Sequence, residues 1–186
     1  TNLDNVSIAG VTTIATNTTI GGNLTVNGTN TILNTTTYVQ GGEGAAGILA
    51  IYADEGDDNA DKFRLISNTD GTLNIDNYAG GSWETNIKAV GNGAVDLYFN
   101  NNLRLSSANY GANIFGQSAA VSFGLYTENG TKRGGLYATN GNVISLLDAQ
   151  DHQILRGVKD GAAELYHNNI KRLETSSVGV SIPQDL

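Results

Sequence analysis

The sequence predicts an all-β fold organised as an elongated fibre of several identical chains, and three observations predict it. Asn, Gly, Thr and Ser supply 77 of the 186 residues, against one Pro and no Cys or Met. These residue types are poor in helix interiors, and Asn and Gly supply the positive-φ positions of tight turns. Ile, Leu, Val and Phe supply a further 46 residues, which places the chain above the low-hydrophobicity range of disorder. Finally, the sequence repeats itself twice over, once on a short period and once on a long one.

The short period occupies the N-terminal segment. Every sixth residue from Ile8 is apolar: Ile8, Ile14, Ile20, Val26, Ile32 and Tyr38. A hydroxyl residue precedes each one: Ser7, Thr13, Thr19, Thr25, Thr31 and Thr37. Six is an even period, so in an extended chain these apolar residues all face one way. One such residue in six makes a thin stripe, and a segment this short cannot bury enough surface to offset its ordering entropy. Two arrangements meet that constraint. One is a single-chain hexapeptide β-helix. The other is an intertwined stalk in which several identical chains each contribute a stripe to a shared core. Residues 1–40 are therefore expected to form a β stalk.

The long period covers the rest. Gly93–Leu105 aligns with Gly161–Leu173 at an offset of 68, with eight identities in thirteen positions. Each copy reads as a β-hairpin, an apolar run ending in Leu-Tyr, then Asn-Asn at the turn, then a second strand. Gly111–Ile114 against Gly179–Ile182 extends the match. The fronts of the units correspond more loosely. Ile51-Tyr52 precedes an acidic turn and Lys62-Phe63-Arg64, while Leu125-Tyr126 precedes Asn129-Gly130 and Lys132-Arg133. Asn129-Gly130 is the strongest short hairpin signal in the chain. The expectation is two antiparallel β-meander modules, 41–116 and 117–186, of five or six short strands each.

The stretch Gly22-Asn23-Leu24-Thr25-Val26-Asn27-Gly28-Thr29 leading into Asn34-Thr35-Thr36-Thr37 resembles the stalk of marine bacteriophage tail-fibre-like proteins. The acidic run Ala53–Arg64, Gly81-Ser82-Trp83-Glu84 and Gly93–Tyr98 are similar to their modules. The resemblance covers most of residues 20–182. It implies a homotrimeric, β-rich virion appendage, tail or head, that contacts other virion proteins and serves host attachment through a surface glycan or protein. Such fibres often end in a self-cleaving chaperone domain, absent from this sequence. That absence, with Thr1 unpreceded by Met, suggests a fragment or a processed product. A bacterial surface adhesin stalk and a glycan-depolymerising tailspike segment are the alternative functions.

Charge and composition exclude several classes. Net charge is −8; residues 1–61 hold seven acids and no Lys or Arg, and residues 62–186 hold all ten basic residues and eleven acids. That distribution offers no footprint for nucleic acid or an anionic membrane. The longest apolar stretch, Gly44–Ala53, falls short of a membrane-spanning helix. Without Cys there is no disulfide framework and no thiolate metal site.

Candidate chemistry is sparse. Asp54, Glu55, Asp57, Asp58 and Asp61 could offer oxygen ligands to Ca²⁺, although their spacing does not match the helix-flanked calcium loop. The repeat places them at a hairpin tip that in the second module keeps one acid, Glu128, so a solvated tip is the plain reading. His152 lies in a polar turn. His167 takes the place of Phe99 and is expected to pack as a flat ring. No metalloprotease spacing, nucleophile elbow or phosphate loop occurs, so no enzyme and no cofactor are expected. Tyr78 and Trp83 flank a Gly-rich turn and are the candidates for stacking on a receptor sugar; Trp83 is otherwise expected to fill the module's core.

Overall fold

The computed structural model describes residues 10, 12, 18–27, 30, 36–117 and 119–183. The chain divides into two units, Thr1–Tyr38 and Val39–Leu186. Much of the expected stalk lies outside the described residues, and its described positions 18–27 and 36–40 carry no strand. The side chains of Ile20, Leu24, Val26 and Tyr38 are exposed.

Within the second unit the fold is all-β and antiparallel. The first sheet comprises β1 (Gly47–Tyr52), β2 (Lys62–Ser67), β3 (Thr72–Asn77), β4 (Glu84–Val90), β5 (Val95–Phe99), β6 (Asn102–Ala108) and β7 (Gly111–Ile114). The second comprises β8 (Ala120–Tyr126), β9 (Lys132–Thr139), β10 (Val143–Leu147), β11 (Gln153–Val158), β12 (Ala163–His167), β13 (Ile170–Ser176) and β14 (Gly179–Ser181). In both sheets each strand pairs only with its sequence neighbours, which makes two seven-stranded meanders. That exceeds the five or six strands expected. The short edge strands β7 (Gly-Ala-Asn-Ile) and β14 (Gly-Val-Ser) have too few residues to show an alternation.

The turns explain the Asn and Gly content. Asn100 and Asn101 have φ of 48° and 54°, and Asn168 and Asn169 have 51° and 58°, the left-handed pair that a two-residue hairpin requires. Most other connections end in a single left-handed residue: Gly71, Gly81, Asn92, Gly130, Asn142, Asp151 and Asp160. At Asn129-Gly130 only the glycine is left-handed, so the loop is longer than the two-residue form. Its amide donates to the Thr127 carbonyl at 2.9 Å.

Side-chain bonds recur with the repeat. The Thr85 amide donates to Asn101 Oδ1 and the Gln153 amide to Asn169 Oδ1, both at 3.0 Å. The Val95 amide donates to Ser107 Oγ at 2.8 Å, and its counterpart Ala163 to Thr175 Oγ1 at 3.0 Å. These bonds satisfy strand amides at places where the ladder is interrupted.

The register sorts each sheet into two faces. Leu49, Leu65, Ile75, Ile87, Leu97, Leu105 and Ile114 pair in succession, one per strand, as a continuous aliphatic row across the first sheet. Phe123, Leu136, Leu146, Leu155, Leu165 and Leu173 form the matching row of the second. The opposite faces carry Ile66-Asn74-Lys88-Asp96-Ser106-Asn113 and Ser122-Tyr137-Ser145-Arg156-Glu164-Glu174-Ser181.

Burial runs opposite to polarity. Asp76, Ser106, Ser145 and Glu164 are buried, whereas Leu97, Leu136, Leu155 and Leu165 are 40–50% exposed. Ile66 is the sole buried hydrophobic residue among those described.

Hydrogen-bonded polar side chains cover the face opposite the aliphatic row. Glu164 accepts from Arg156 Nη1 at 2.8 Å, Tyr166 OH at 2.7 Å and Lys171 Nζ at 3.3 Å. The shorter Asp96 at the equivalent place receives only Tyr98 OH, at 3.4 Å, and its Oδ1 is buried without a partner. Arg156 first, then Tyr166, hold the Glu164 carboxyl below the ordinary glutamate range. A depressed carboxyl stabilises the fold above the unfolded value, about pH 4.3, and loses that contribution as pH falls through the lowered value. Glu164→Gln should therefore cost about 1–3 kcal/mol at neutral pH and flatten the acid limb. Thermal melts of both proteins between pH 7 and pH 3 check this; parallel acid limbs would count against it.

Candidate functional site

The polar face of the first sheet carries a chain of contacts between charge and ring. Asp76, 2% exposed, accepts from Arg64 Nε at 2.9 Å and from Thr85 Oγ1 at 3.0 Å. The Arg64 guanidinium lies 4.3 Å from the centroid of the Trp83 ring. Trp83 and Tyr78 meet at 5.0 Å with their planes tilted by 60°, and Lys62 Nζ sits 5.7 Å from the Tyr78 centroid. Local sequence builds this cluster. Gly81 (φ 80°) donates to the Tyr78 carbonyl at 2.9 Å, and the Ala79 amide donates to Asn77 Oδ1 at 3.0 Å, which folds Trp83 back onto Tyr78.

Tyr78 and Trp83 are thus brought together, each with a cation on its ring. Both are half-buried and belong to the polar face. Trp83 does not enter a core: it is too large for a single sheet to enclose and instead closes over Arg64. Arg64 and Asp76, which hold the cluster in place, carry no local sequence signal of that role; only the register pairs them.

The acidic candidates separate into two groups. The segment between β1 and β2 forms two 3-10 turns, Asp54–Gly56 and Asn59–Asp61, closed by the Ala53 amide on the Asp61 carbonyl at 3.0 Å. Carboxylate oxygens of Asp57, Asp58 and Asp61 lie within 4.8 Å of one another. Asp54 and Glu55 stand outside that trio, with left-handed φ of 39° and 61°. Asp57 and Asp58 are exposed and Asp61 is half-buried, as in a solvated turn, and Ca²⁺ takes six to eight oxygen ligands.

Neither histidine has catalytic company. His152 contacts Asp148 through Nδ1–Oδ2 at 3.2 Å, and its amide donates to Asp148 Oδ1 at 2.8 Å; among the described residues no serine hydroxyl bonds to that pair. His167 is exposed, as is Phe99 at the equivalent position, 67% exposed. The expected packing of His167 is therefore absent within one chain, because both residues sit beside an exposed hairpin tip.

A hollow of about 500 Å³ opens on the polar face of the second sheet. Tyr126, Lys132, Tyr137, Leu147, Asp151 and Gln153 line it, and Lys132 Nζ pairs with Asp151 Oδ1 across it. Tyr126 is 61% exposed. The sequence offered no motif here, since the lining residues are spread over four strands and a turn.

No protein-family model matches the chain, and neither a curated protein nor a solved structure matches it.

The Arg64 contacts are open to direct measurement, since Trp83 is the chain's one tryptophan. Arg64→Ala strips Asp76 of its charged partner and should cost about 1–3 kcal/mol. It should also move Trp83 emission to longer wavelength as water replaces the guanidinium. An unchanged spectrum with an unchanged melting temperature would show that the cluster does not form in solution.

Proposed function

We propose that this chain is a non-enzymatic structural segment of a homotrimeric β-rich fibre, a tail or head appendage of a virion that serves host attachment. The observation that carries the reading is the aliphatic row left uncovered on both sheets. A sheet hydrophobic on one face must bury that face against another layer, and this chain supplies no such layer among its described residues. Copies of the same chain are the simplest source of one, because each brings the identical row in the identical register.

The magnitudes permit association. Covering a half-exposed Leu or Ile gains about 0.8–1.5 kcal/mol, so the eight exposed residues of the two rows gain on the order of 6–12 kcal/mol per chain, the scale of the cost of association. Three chains around an axis would turn the rows inward and the polar faces outward. The trimer number rests on the resemblance to bacteriophage fibres, as do the virion location and the contacts with other virion proteins and a host glycan or protein. Repetition around an axis then multiplies weak contacts by effective concentration.

Light scattering tests the assembly. Three chains of 19.4 kDa should elute as one species, and negative-stain images should show rods. Leu97→Asp combined with Leu165→Asp, one in each row, should abolish that species, whereas Glu128→Lys at an exposed hairpin tip should leave it intact. A cooperatively folding 19.4 kDa monomer would overturn the proposal.

A further inference from the structure

The two sheets are copies, and the register allows them to be compared position by position on the polar face. Tyr52 pairs with Lys62 as Tyr126 pairs with Lys132, and Leu49 with Leu65 as Phe123 with Leu136. Three residues separate Lys62 from Leu65 but four separate Lys132 from Leu136. The extra one, Arg133, falls in the register shift next to Tyr126. Arg133, for all its resemblance to Arg64 in sequence, is therefore not its counterpart. Gly135 is. It pairs with Leu147 where Arg64 pairs with Asp76, and Leu147 pairs with Gln153 where Asp76 pairs with Thr85. Two residues before these last partners, Asp151 stands in the place of Trp83.

Lys62 is kept as Lys132, whereas Arg64, Asp76 and Trp83 are all replaced. The guanidinium becomes a glycine hydrogen, its aspartate a leucine, and the tryptophan that lay over it a short acid. What remains is the 500 Å³ hollow, a size within the range of small-molecule sites. Its backbone is tightly held. A Cβ on Gly135 would lie 2.7 Å from the Phe123 carbonyl, and one on Gly124 would lie 2.5 Å from a Tyr126 ring carbon. The Tyr126 ring therefore packs directly over Gly124, where any larger residue would displace it.

We propose that this hollow is a binding site for a neutral pyranose unit of a surface glycan. Its lining matches what such a ring presents. Tyr126 and Tyr137 offer ring surface for the apolar C–H face, and Leu147 adds an apolar wall. Lys132, Asp151 and Gln153 offer donors and acceptors for hydroxyls arranged around the ring edge. Lys132 and Asp151 pair with one another, so the hollow has no unmatched charge and selects neither an anion nor a cation. The hydrogen bond to Asp151 also raises the Lys132 ammonium above its ordinary range. In the first sheet Arg64 stands at the position of Gly135 and its side chain fills the equivalent space, and the inference deepens the attachment reading on which it rests.

Saturation-transfer NMR on the full chain tests it, with methyl glucoside, methyl galactoside, methyl mannoside and N-acetylglucosamine as separate millimolar probes. At least one should take up saturation. Tyr126→Ala should weaken that binding tenfold or more, and Asp151→Asn, which retains the left-handed backbone that Asn tolerates, should weaken it severalfold. Trp83→Ala in the first sheet should leave it unchanged. Light scattering of each variant separates loss of the site from loss of the assembly. An assembled protein that takes up saturation from none of the four probes overturns this proposal alone. So does binding that survives Tyr126→Ala and Asp151→Asn in intact assemblies, or that is lost with Trp83→Ala.

Discussion

The rest of the structure depends on one constraint, the uncovered aliphatic row that crosses each sheet. Within a sheet the register aligns one aliphatic or aromatic residue per strand, from Leu49 to Ile114 in the first and from Phe123 to Leu173 in the second. A single sheet can fold its own long polar side chains down onto itself, and it does so at Glu164 and Asp76. Short branched aliphatics have no such reach, so their row stands clear. The inverted burial, with polar groups inside and aliphatics outside, is the direct result.

The same scaffold holds two different polar faces. The first sheet links Asp76, Arg64 and Trp83 at the end where the second sheet has Leu147, Gly135 and Asp151. Toward the other end the difference reverses, for Glu164 gathers Arg156, Tyr166 and Lys171, whereas Asp96 reaches only a distant Tyr98. The donors differ as well as the acid, for Lys88 pairs with Asp96 where Arg156 pairs with Glu164, and Leu103 pairs with Tyr98 where Lys171 pairs with Tyr166. Divergence of this kind costs little, because the polar side chains are set by neighbours on the same face. The aliphatic rows have kept their character in both copies.

Much of the fold was legible because its signals are local. The Asn-Asn pairs read as hairpin turns at both copies, and both place two left-handed residues there. The 68-residue offset located corresponding strands. What escaped was whatever depends on register. The stripe of Ile8 to Tyr38 lies largely outside the described residues, and the apolar rows of the two sheets are separate from it. Aliphatic residues one per strand, some twenty positions apart or fewer, leave no period that a window along the chain detects. The candidate site was hidden for the same reason. Lys132-Arg133 looks like Lys62-Phe63-Arg64 in sequence, and only the bulge at Tyr126 shows that Gly135 stands where Arg64 does. Trp83 was readable as an aromatic of interest but not as the cover of an arginine, and the acidic run did not reveal that Asp57, Asp58 and Asp61 would converge without Asp54 and Glu55.

Two kinds of interaction are therefore assigned to two levels of organisation. Hydrogen-bonded ladders form between strands adjacent in sequence, so each meander closes only short loops and its topology favours fast, local assembly. Hydrophobic burial, which ordinarily supplies most of a domain's stability, is almost absent within the chain, where Ile66 alone is buried among described hydrophobics. An isolated meander has the hydrogen bonds of a folded sheet but too little buried surface to offset its chain entropy. Under the proposed assembly, contacts between chains supply the missing burial, and stability then depends on protomer concentration. Because the row runs across all strands of a sheet, a partner that covers part of it orders the whole register at once. That coupling is why the polar faces are free to diverge, and why a hollow can open on one of them without loss of the fold.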